Sequence, residues 1–399
     1  MYHTKKTTND LTWVGSNDRR LAMFENVFPI DRGVSYNSYL LKDEKTVLFD
    51  TVDKAVSGRF MENLEHELDG KKLDYIVIHH VEPDHCATLL DVVKKYPEAQ
   101  VVGNTKTINM IKQFFDMDIV SIAKIVKEGD TISTGSHELT FILAPMVHWP
   151  EVMMTYDKTD KVLFSADAFG TFGAINGNIF ADEIDFEKEW LPEARRYYTN
   201  IVGKYGAQVT GVLKKVSALE VKMICSLHGP VWRENIEWYV DKYTKWASYT
   251  PEEKGVVIAY GSVYGNTETA ADILASNLAQ MGVKNIKIYD VSATHPSVIL
   301  SECFKYSNIV FASVTYNGGI FCNMETLLHH IKAHNLQNRT VAFIENGSWA
   351  PTSAKQMKEI CSSMKNTNII EEVVSIKSSV KLEQRQELKD LAEKIVATM

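Results

Sequence analysis

The stretch His80-Val81-Glu82-Pro83-Asp84-His85 decides how the first part of this chain folds. Tyr75-Ile76-Val77-Ile78 ahead of it is a short β-branched and aromatic run and reads as a buried strand. Residues 87–95 behind it read as a helix, with Leu89, Leu90, Val92 and Val93 apolar. The six residues therefore fall on a loop at the carboxyl end of a strand, where α/β sheets build their sites. His80, Glu82, Asp84 and His85 are all ligand types, more than a surface loop needs. Pro83 stiffens the turn and has no N–H to donate. Asp84 and His85 are adjacent and cannot easily point the same way, an expectation that suits two metal ions better than one. His79 reads as a residue of the strand's other face and not as a ligand.

Three further ligand types stand in matching contexts. His148 follows Leu139-Thr140-Phe141-Ile142-Leu143 and the break at Pro145. Asp167 follows Val162-Leu163-Phe164, and His228 follows Met223-Ile224-Cys225-Ser226. Each stands at or just past the end of a short hydrophobic run, which places all of them at one sheet edge. Four imidazoles and three carboxylates exceed the roughly four to six ligands of one ion and suit two ions sharing a carboxylate. Imidazole with carboxylate, and no thiolate, suits iron or manganese at least as well as zinc.

At 399 residues the chain has room for two or three domains with sizeable cores. A net charge of −8 excludes nucleic acid as a natural partner and disfavours an anionic membrane surface. The five cysteines, Cys86, Cys225, Cys303, Cys322 and Cys361, form no C-x-x-C pair. That argues against a disulfide framework, a rubredoxin-type centre or a cysteine-ligated cluster. The first thirteen residues hold no apolar core of signal-peptide length, and no window approaches a membrane span, so the expected compartment is the cytoplasm.

In chain order, residues 34–41 alternate like a strand and pair with 45–50 across the polar turn at Lys42-Asp43-Glu44. Residues 57–68 form a helix with Phe60, Leu64 and Leu68 on one face. Strand follows strand from 119 to 164, which predicts two sheets packed face to face with helices outside. Residues 186–219 read as mainly helical, with Pro192 and Gly206 as breaks and with Tyr197 and Tyr198 on a hydrophobic helical face; a tyrosine reaching the metal ligands is the lesser alternative. The polar run Ser248-Tyr249-Thr250-Pro251 marks a domain boundary. Beyond it five strands (255–260, 284–289, 308–312, 340–344, 369–374) alternate with five helices, a doubly wound parallel sheet.

The first of these strands runs into Gly261-Ser262-Val263-Tyr264-Gly265-Asn266-Thr267. Small and hydroxyl residues ahead of a helix form a phosphate cradle. Without a Walker lysine or G-x-G-x-x-G, a monophosphate fits better than a triphosphate or dinucleotide. Two more loops fall at the same edge, Ser313-Val314-Thr315-Tyr316-Asn317-Gly318-Gly319 and Glu345-Asn346-Gly347-Ser348-Trp349. Both are glycine-bearing and carry an aromatic, so Tyr316 or Trp349 is placed to stack on a flat ring. The expected cofactor contacts are 262–267, 315–318 and 347–349.

With both sites in view, the chain resembles a flavodiiron protein, also termed an A-type flavoprotein. The resemblance covers nearly the whole length and rests on H-x-E-x-D-H, on the following single His, Asp and His at intervals of 63, 19 and 61 residues, and on the Ser-x-Tyr-Gly-Asn-Thr loop. It implies an α/β chain: a metallo-β-lactamase-like αββα sandwich over 1–250, then a flavodoxin-like doubly wound parallel sheet over 251–399. Related metallo-hydrolases carry H-x-H-x-D-H; Glu82 at the third position adds a hard oxygen and favours iron. Carried over by position, one iron is held by His80, Glu82 and His148, the other by Asp84, His85 and His228, with Asp167 bridging. In some members of the family the histidine at the position of His85 is not bound.

The resemblance further implies FMN in the second domain and a head-to-tail homodimer, or a dimer of dimers, in which the flavin of one chain meets the diiron pair of the other. A reduced rubredoxin-like protein, or a deazaflavin cofactor in some relatives, would feed the flavin. Two ferrous ions and a two-electron flavin hold the four electrons that take dioxygen to two waters; two nitric oxide molecules need two electrons to give nitrous oxide and water. The competing readings are a zinc hydrolase of the β-lactamase fold, with a metal-activated water, and a non-catalytic flavodoxin-type carrier fused to a scaffold.

Overall fold

The computed structural model describes residues 2–399, and the chain divides into two compact units. The first comprises Met1–Tyr198 and Ala207–Tyr243; the second comprises Thr199–Gly206 and Thr244–Met399. No helix among the described residues is long and apolar enough to cross a membrane.

In the first unit, a seven-stranded sheet runs in the order Lys5–Lys6, Leu11–Trp13, Tyr39–Lys42, Thr46–Phe49, Tyr75–Val77, Gln100–Gly103, Ala123–Ile125. A five-stranded sheet runs Thr131–Ser133, Glu138–Leu143, Met153–Asp157, Val162–Phe164, Met223–Cys225. Alternate residues of the two sheets face one another. Trp13, Tyr39, Val47, Phe49 and Val77 from the first join Phe141, Met153, Phe164 and Cys225 from the second in one buried cluster. Phe49 and Phe164 stack across it at 3.8 Å between ring centres. The helix Ser57–Leu68 buries Phe60, Leu64 and Leu68 on the outer side, as its four-residue spacing predicts.

Strand direction explains why the ligands converge. Val162–Phe164 pairs parallel with Met223–Cys225. Glu138–Leu143 lies two antiparallel steps away, so it points the same way. Their carboxyl ends, followed by His148, Asp167 and His228, therefore share one edge.

The structure differs from the sequence reading in several places, one of them Ile119–Ile122, a helical turn where the reading has strand. Residues 34–41 are not one strand. Val34–Tyr36 pairs with Ser16–Asp18, while Tyr39–Lys42 joins the large sheet. Buried Asn37 makes the break. It accepts from Trp13 Nε1 and donates to Ser226 O and Gly229 O, so the chain leaves the sheet to grip the loop that carries His228. The helical stretch after 186 is split into Phe186–Glu189, Leu191–Tyr197, a π-turn at Tyr198–Val202 and Gly206–Val216. Finally, Pro83–Cys86 forms a helical turn of its own ahead of Leu89–Lys95, with Pro83 in the first turn where its missing N–H costs nothing.

The second unit is a parallel sheet in the order Ile286–Asp290, Glu253–Gly261, Tyr306–Tyr316, Thr340–Asn346, Asn368–Ile376. Numbered along the chain that is 2-1-3-4-5, with helices between consecutive strands. A two-residue strand, Gly319–Ile320, folds back on Tyr306–Tyr316 and has no counterpart in the sequence reading. Arg339 is buried and spends its donors on carbonyls: those of Cys303 and Phe304 at the end of the helix Pro296–Lys305, and Tyr249 O. Burial brings its pKa down to about 10, so it stays charged and complements the carbonyl end of that helix.

Half-buried His330 of the helix Cys322–Ala333 sits 4.2 Å from the His334 ring and 3.0 Å from Asn200 Oδ1. Burial first, then the neighbouring His334 and His295, lowers its pKa from 6.5 to about 3. The unfolded chain therefore binds the extra proton between those values, and stability falls as pH drops through that window. We expect the loss of melting temperature between pH 7 and pH 5 to be smaller in His330→Gln than in the wild-type protein, measured by thermal scans at both pH values.

Candidate metal centre and flavin pocket

Strand ends bring all seven expected ligands of the first unit together. Around Asp167, which is 1% exposed, they form two groups. His80, Glu82, His148 and Asp167 make one, and Asp84, His85 and His228 make the other. Asp167 Oδ2 lies 3.1 Å from His148 Nε2 and 3.5 Å from His80 Nε2. Its other oxygen, Oδ1, lies 3.0 Å from His85 Nε2 and 3.8 Å from His228 Nε2. Glu82 Oε2 closes the first group at 3.0 Å from His80 and 3.1 Å from His148. Asp84 Oδ2 closes the second at 3.3 Å from both His85 and His228.

Apart from the 3.8 Å between Asp167 and His228, these separations are those of atoms sharing an ion at about 2.0–2.2 Å, whose mutual distances come to roughly 3.0–3.5 Å. Both oxygens of Asp84, both nitrogens of His85, Asp167 Oδ1 and His228 Nε2 are buried without a hydrogen-bond partner. Leaving so many polar atoms unsatisfied would cost about 1–3 kcal/mol each, so the arrangement fits a pair of bound cations. Burial alone would lower the histidine pKa values, but the carboxylates win. Asp84 and Asp167 carry His85 up to about 9, and Asp167 and Glu82 do the same for His148. Against its own burial, Asp167 is held well below the usual carboxylate range, by His85 first.

The tautomers are set from behind. His228 Nδ1 is 2.8 Å from Ser35 O, an acceptor only, so Nδ1 carries the proton and Nε2 is bare. His80 Nδ1 is 2.7 Å from Glu151 Oε1, which also accepts from Val81 N. His79 has both nitrogens engaged, by Asp50 and by Thr155, as expected of a residue facing away from the metals. Asp50 also accepts from His79 N, at 2.7 Å, and so fixes the backbone that presents His80.

Several contributors carry no sequence signal. Glu151, Asp50 and Ser35 act only through contacts between distant segments. Glu25 lies on an exposed turn with φ near 49°, yet its carboxyl is drawn in against Glu82. Desolvation first, then Glu82, pushes its pKa up to about 8. Tyr197, read chiefly as part of a hydrophobic helical face, has its ring 5.4 Å from His228 and its hydroxyl without a hydrogen-bond partner. Tyr198 packs on Tyr243 instead.

In the second unit the three expected loops line one cavity of about 460 Å³. Ser262, Val263, Tyr264, Asn266 and Thr267 line it, with Thr315, Tyr316, Asn317, Gly318, Gly347, Ser348 and Trp349. Gly265 is not in the lining. Its φ of 85° caps the helix Asn266–Gln280 and turns the loop, and its N–H donates to Ser262 Oγ. The sequence reading missed Val314, Asn346, Ala350, Thr352 and Ser378. Thr267 Oγ1 is buried with no partner at the N-terminus of that helix, where a phosphate oxygen would satisfy it. Tyr264 and Trp349 stand 92% and 90% exposed at the cavity, which suits a flat ring between or beneath them. A Cβ on Gly347 would meet Pro351 backbone at 2.9 Å, so that loop needs glycine.

Residues 34–229 match the model of the ODP family beta lactamase, and residues 257–376 match that of the flavodoxin domain. The anaerobic nitric oxide reductase flavorubredoxin of Vibrio vulnificus is 35% identical, over 86% of this chain and 69% of its own. This chain belongs to the flavodiiron protein family. Among solved structures, rubredoxin oxygen:oxidoreductase from Desulfovibrio gigas superposes with a TM-score of 0.92 at 28% identity, over 99% of this chain and 98% of the other. The flavodiiron protein of Giardia intestinalis gives 0.93 at 25% identity, over 100% and 98%. The flavodiiron chain is thus an oxidoreductase, a metallo-β-lactamase-like fold followed by a flavodoxin-like one.

Two outcomes test these sites. Glu151→Gln keeps the shape behind His80 but weakens its hold, and should lower iron affinity by about 10–100-fold, read as iron per chain after competition with a chelator. Trp349→Ala should weaken FMN binding by about 1 kcal/mol, roughly fivefold, with iron content unchanged; the recovery of free-flavin fluorescence measures it.

Proposed function

We propose that this protein is a cytoplasmic gas reductase that takes dioxygen to water, nitric oxide to nitrous oxide, or both. Its domains are 1–250 for a diiron pair and 251–399 for FMN. The observation that carries the reading is Asp167, whose two oxygens each serve a separate set of imidazole and carboxylate groups. The proposed ligands are His80, Glu82 and His148 for one iron and Asp84, His85 and His228 for the other. His85 belongs in the set because its buried Nε2 stands 3.3 Å from Asp84 Oδ2 and 3.0 Å from Asp167 Oδ1, among the atoms that an ion would join. Two ferrous ions there would supply two electrons and open positions for a diatomic gas, and FMN would supply two more from a rubredoxin-like donor or a deazaflavin. A head-to-tail homodimer, or a dimer of dimers, brings the flavin of one chain to the metals of another.

The chain's own residues do the rest. Asp167 keeps the two ligand sets within one small volume, so that one dioxygen or two nitric oxide molecules reach both. Asp50 and Glu151 hold the His79–Val81 backbone and the His80 ring in place. Both reactions consume protons. Tyr197 Oη is buried beside Asp167, Asp84 and Glu82, and burial followed by those charges raises its pKa well above the usual tyrosine value. It therefore keeps its proton and presents a donor to what binds there. Phe24 and Phe172 pack edge to face beside the Tyr197 ring and exclude water from that side. The names of two relatives support the assignment, one a nitric oxide reductase and one an oxygen oxidoreductase. Glu82 and the attached flavodoxin fold weigh against a zinc hydrolase, and the buried double ligand set weighs against a simple carrier.

Protein loaded with FMN and iron and reduced anaerobically should consume dioxygen, nitric oxide or both when each gas is then added separately at an electrode. Asp167→Asn and His148→Ala should bring consumption to background while FMN stays bound. Full-rate consumption without Asp167, or none by the loaded wild-type protein, overturns the proposal.

A further inference from the structure

A second cluster of ligand types lies in the first unit, at the opposite end of the five-stranded sheet. His137 precedes the strand Glu138–Leu143, whose far end leads to His148. Asp157 ends the strand Met153–Asp157, and Asp160 lies in the turn after it. One ligand atom each from His137, Asp157 and Asp160 lies within 4.8 Å of the others. Asp10, from the hairpin that opens the seven-stranded sheet, brings a fourth group. Its Oδ2 is 3.6 Å from His137 Nε2, and it shares a cavity with Asp160 and Lys6.

His137 is only 3% exposed, which is unusual for an imidazole at a sheet margin. Asp157 Oδ2 takes its Nδ1 at 2.8 Å, and Asp157 Oδ1 accepts from Thr159 N. Nε2 is thereby directed outward at a carboxylate that is too far for a hydrogen bond, yet close to the roughly 3.3 Å between two atoms sharing a tetrahedral ion. A carboxylate behind Nδ1 with Nε2 turned toward further carboxylates is the arrangement that metal-binding histidines use. Asp43 is not part of this set, because its carboxyl is taken by Thr134, Ser136 and His137 N. It adds negative charge all the same, so four carboxylates face one imidazole.

We infer that His137, Asp10 and Asp160, with Asp157 orienting His137, form a peripheral site for a divalent transition-metal ion such as zinc, separate from the diiron pair. Imidazole with two carboxylates is a borderline donor set that takes zinc readily. The ion would tie the N-terminal hairpin to the five-stranded sheet. Its occupancy would not depend on flavin or on gas reduction.

Full-length FMN- and iron-loaded protein, titrated with Zn²⁺ and then desalted, tests this by metal analysis. About one zinc per chain should be retained with the iron unchanged. His137→Gln and, at an exposed position that leaves the fold alone, Asp10→Asn should each weaken zinc retention at least about tenfold. Zinc should also raise the melting temperature of the wild-type protein and not that of Asp10→Asn. If the wild-type protein retains no zinc, or retains it only by losing iron, the site does not exist. Equal zinc in both variants would place the ion elsewhere and overturn the inference as well.

Discussion

A carboxylate buried among imidazoles governs the first unit. Asp167 has essentially no contact with solvent and faces four histidine Nε2 atoms, two on each oxygen. Taking such a charge out of water costs several kcal/mol unless positive charge and hydrogen bonds meet it from fixed positions. Flexible loops could not hold them. The fold answers with parallel strand direction, which delivers His148, Asp167 and His228 to one edge, and with polar ties that pin each loop. Asn37 interrupts a strand to clasp the His228 loop, and Asp50 leaves the sheet to clasp the His80 loop. The irregularities of the fold are concentrated where the charge is.

The second unit solves a different problem. A flavin phosphate can be met by backbone N–H groups and hydroxyls at a helix N-terminus, without buried charge. The three loops can therefore stay open, and the aromatic residues Tyr264 and Trp349 can stand in solvent. The precision lies in backbone shape instead: Gly265 at positive φ turns the first loop, and Gly347 passes Pro351 too closely for any side chain. Asn346 then fastens the third loop to Ser378 through two hydrogen bonds.

What could be read from the sequence followed from this difference. Ligand types at strand ends are local signals, so His80, Glu82, Asp84, His85, His148, Asp167 and His228 could be read before their geometry was known, and the geometry brings them together. The alternation of strands and helices in the second unit is equally local. What escaped reading is held by distant partners. Residues 34–41 alternate like a strand, and only the pull of Ser226 and Gly229 on Asn37 breaks it. The π-turn after Tyr197 has no composition of its own. Glu151 follows a Trp-Pro turn and looks like a surface acid until the fold sets it behind His80. Ser378 reaches the cavity of the second unit from a loop with no glycine or aromatic to mark it.

The placement of Glu82 carries the argument for a matched pair of ions. Counting Asp167 on both sides, one set offers His80, His148 and two carboxylates, and the other offers His85, His228 and two carboxylates. Each side is two nitrogens and two oxygens. A histidine in place of Glu82 would make the first side softer and less negative, and the two positions would then differ in affinity and in potential. With Glu82 the donor sets are alike, and Asp167 shares its charge between them. Like donor sets would give two ions of one metal like surroundings. The asymmetry that remains lies outside the ligands: Glu151 stands behind His80 and a neutral carbonyl behind His228. A carboxylate strengthens the donor it holds more than a carbonyl does, so with ions held as proposed the support behind His80, more than that behind His228, would set one apart from the other.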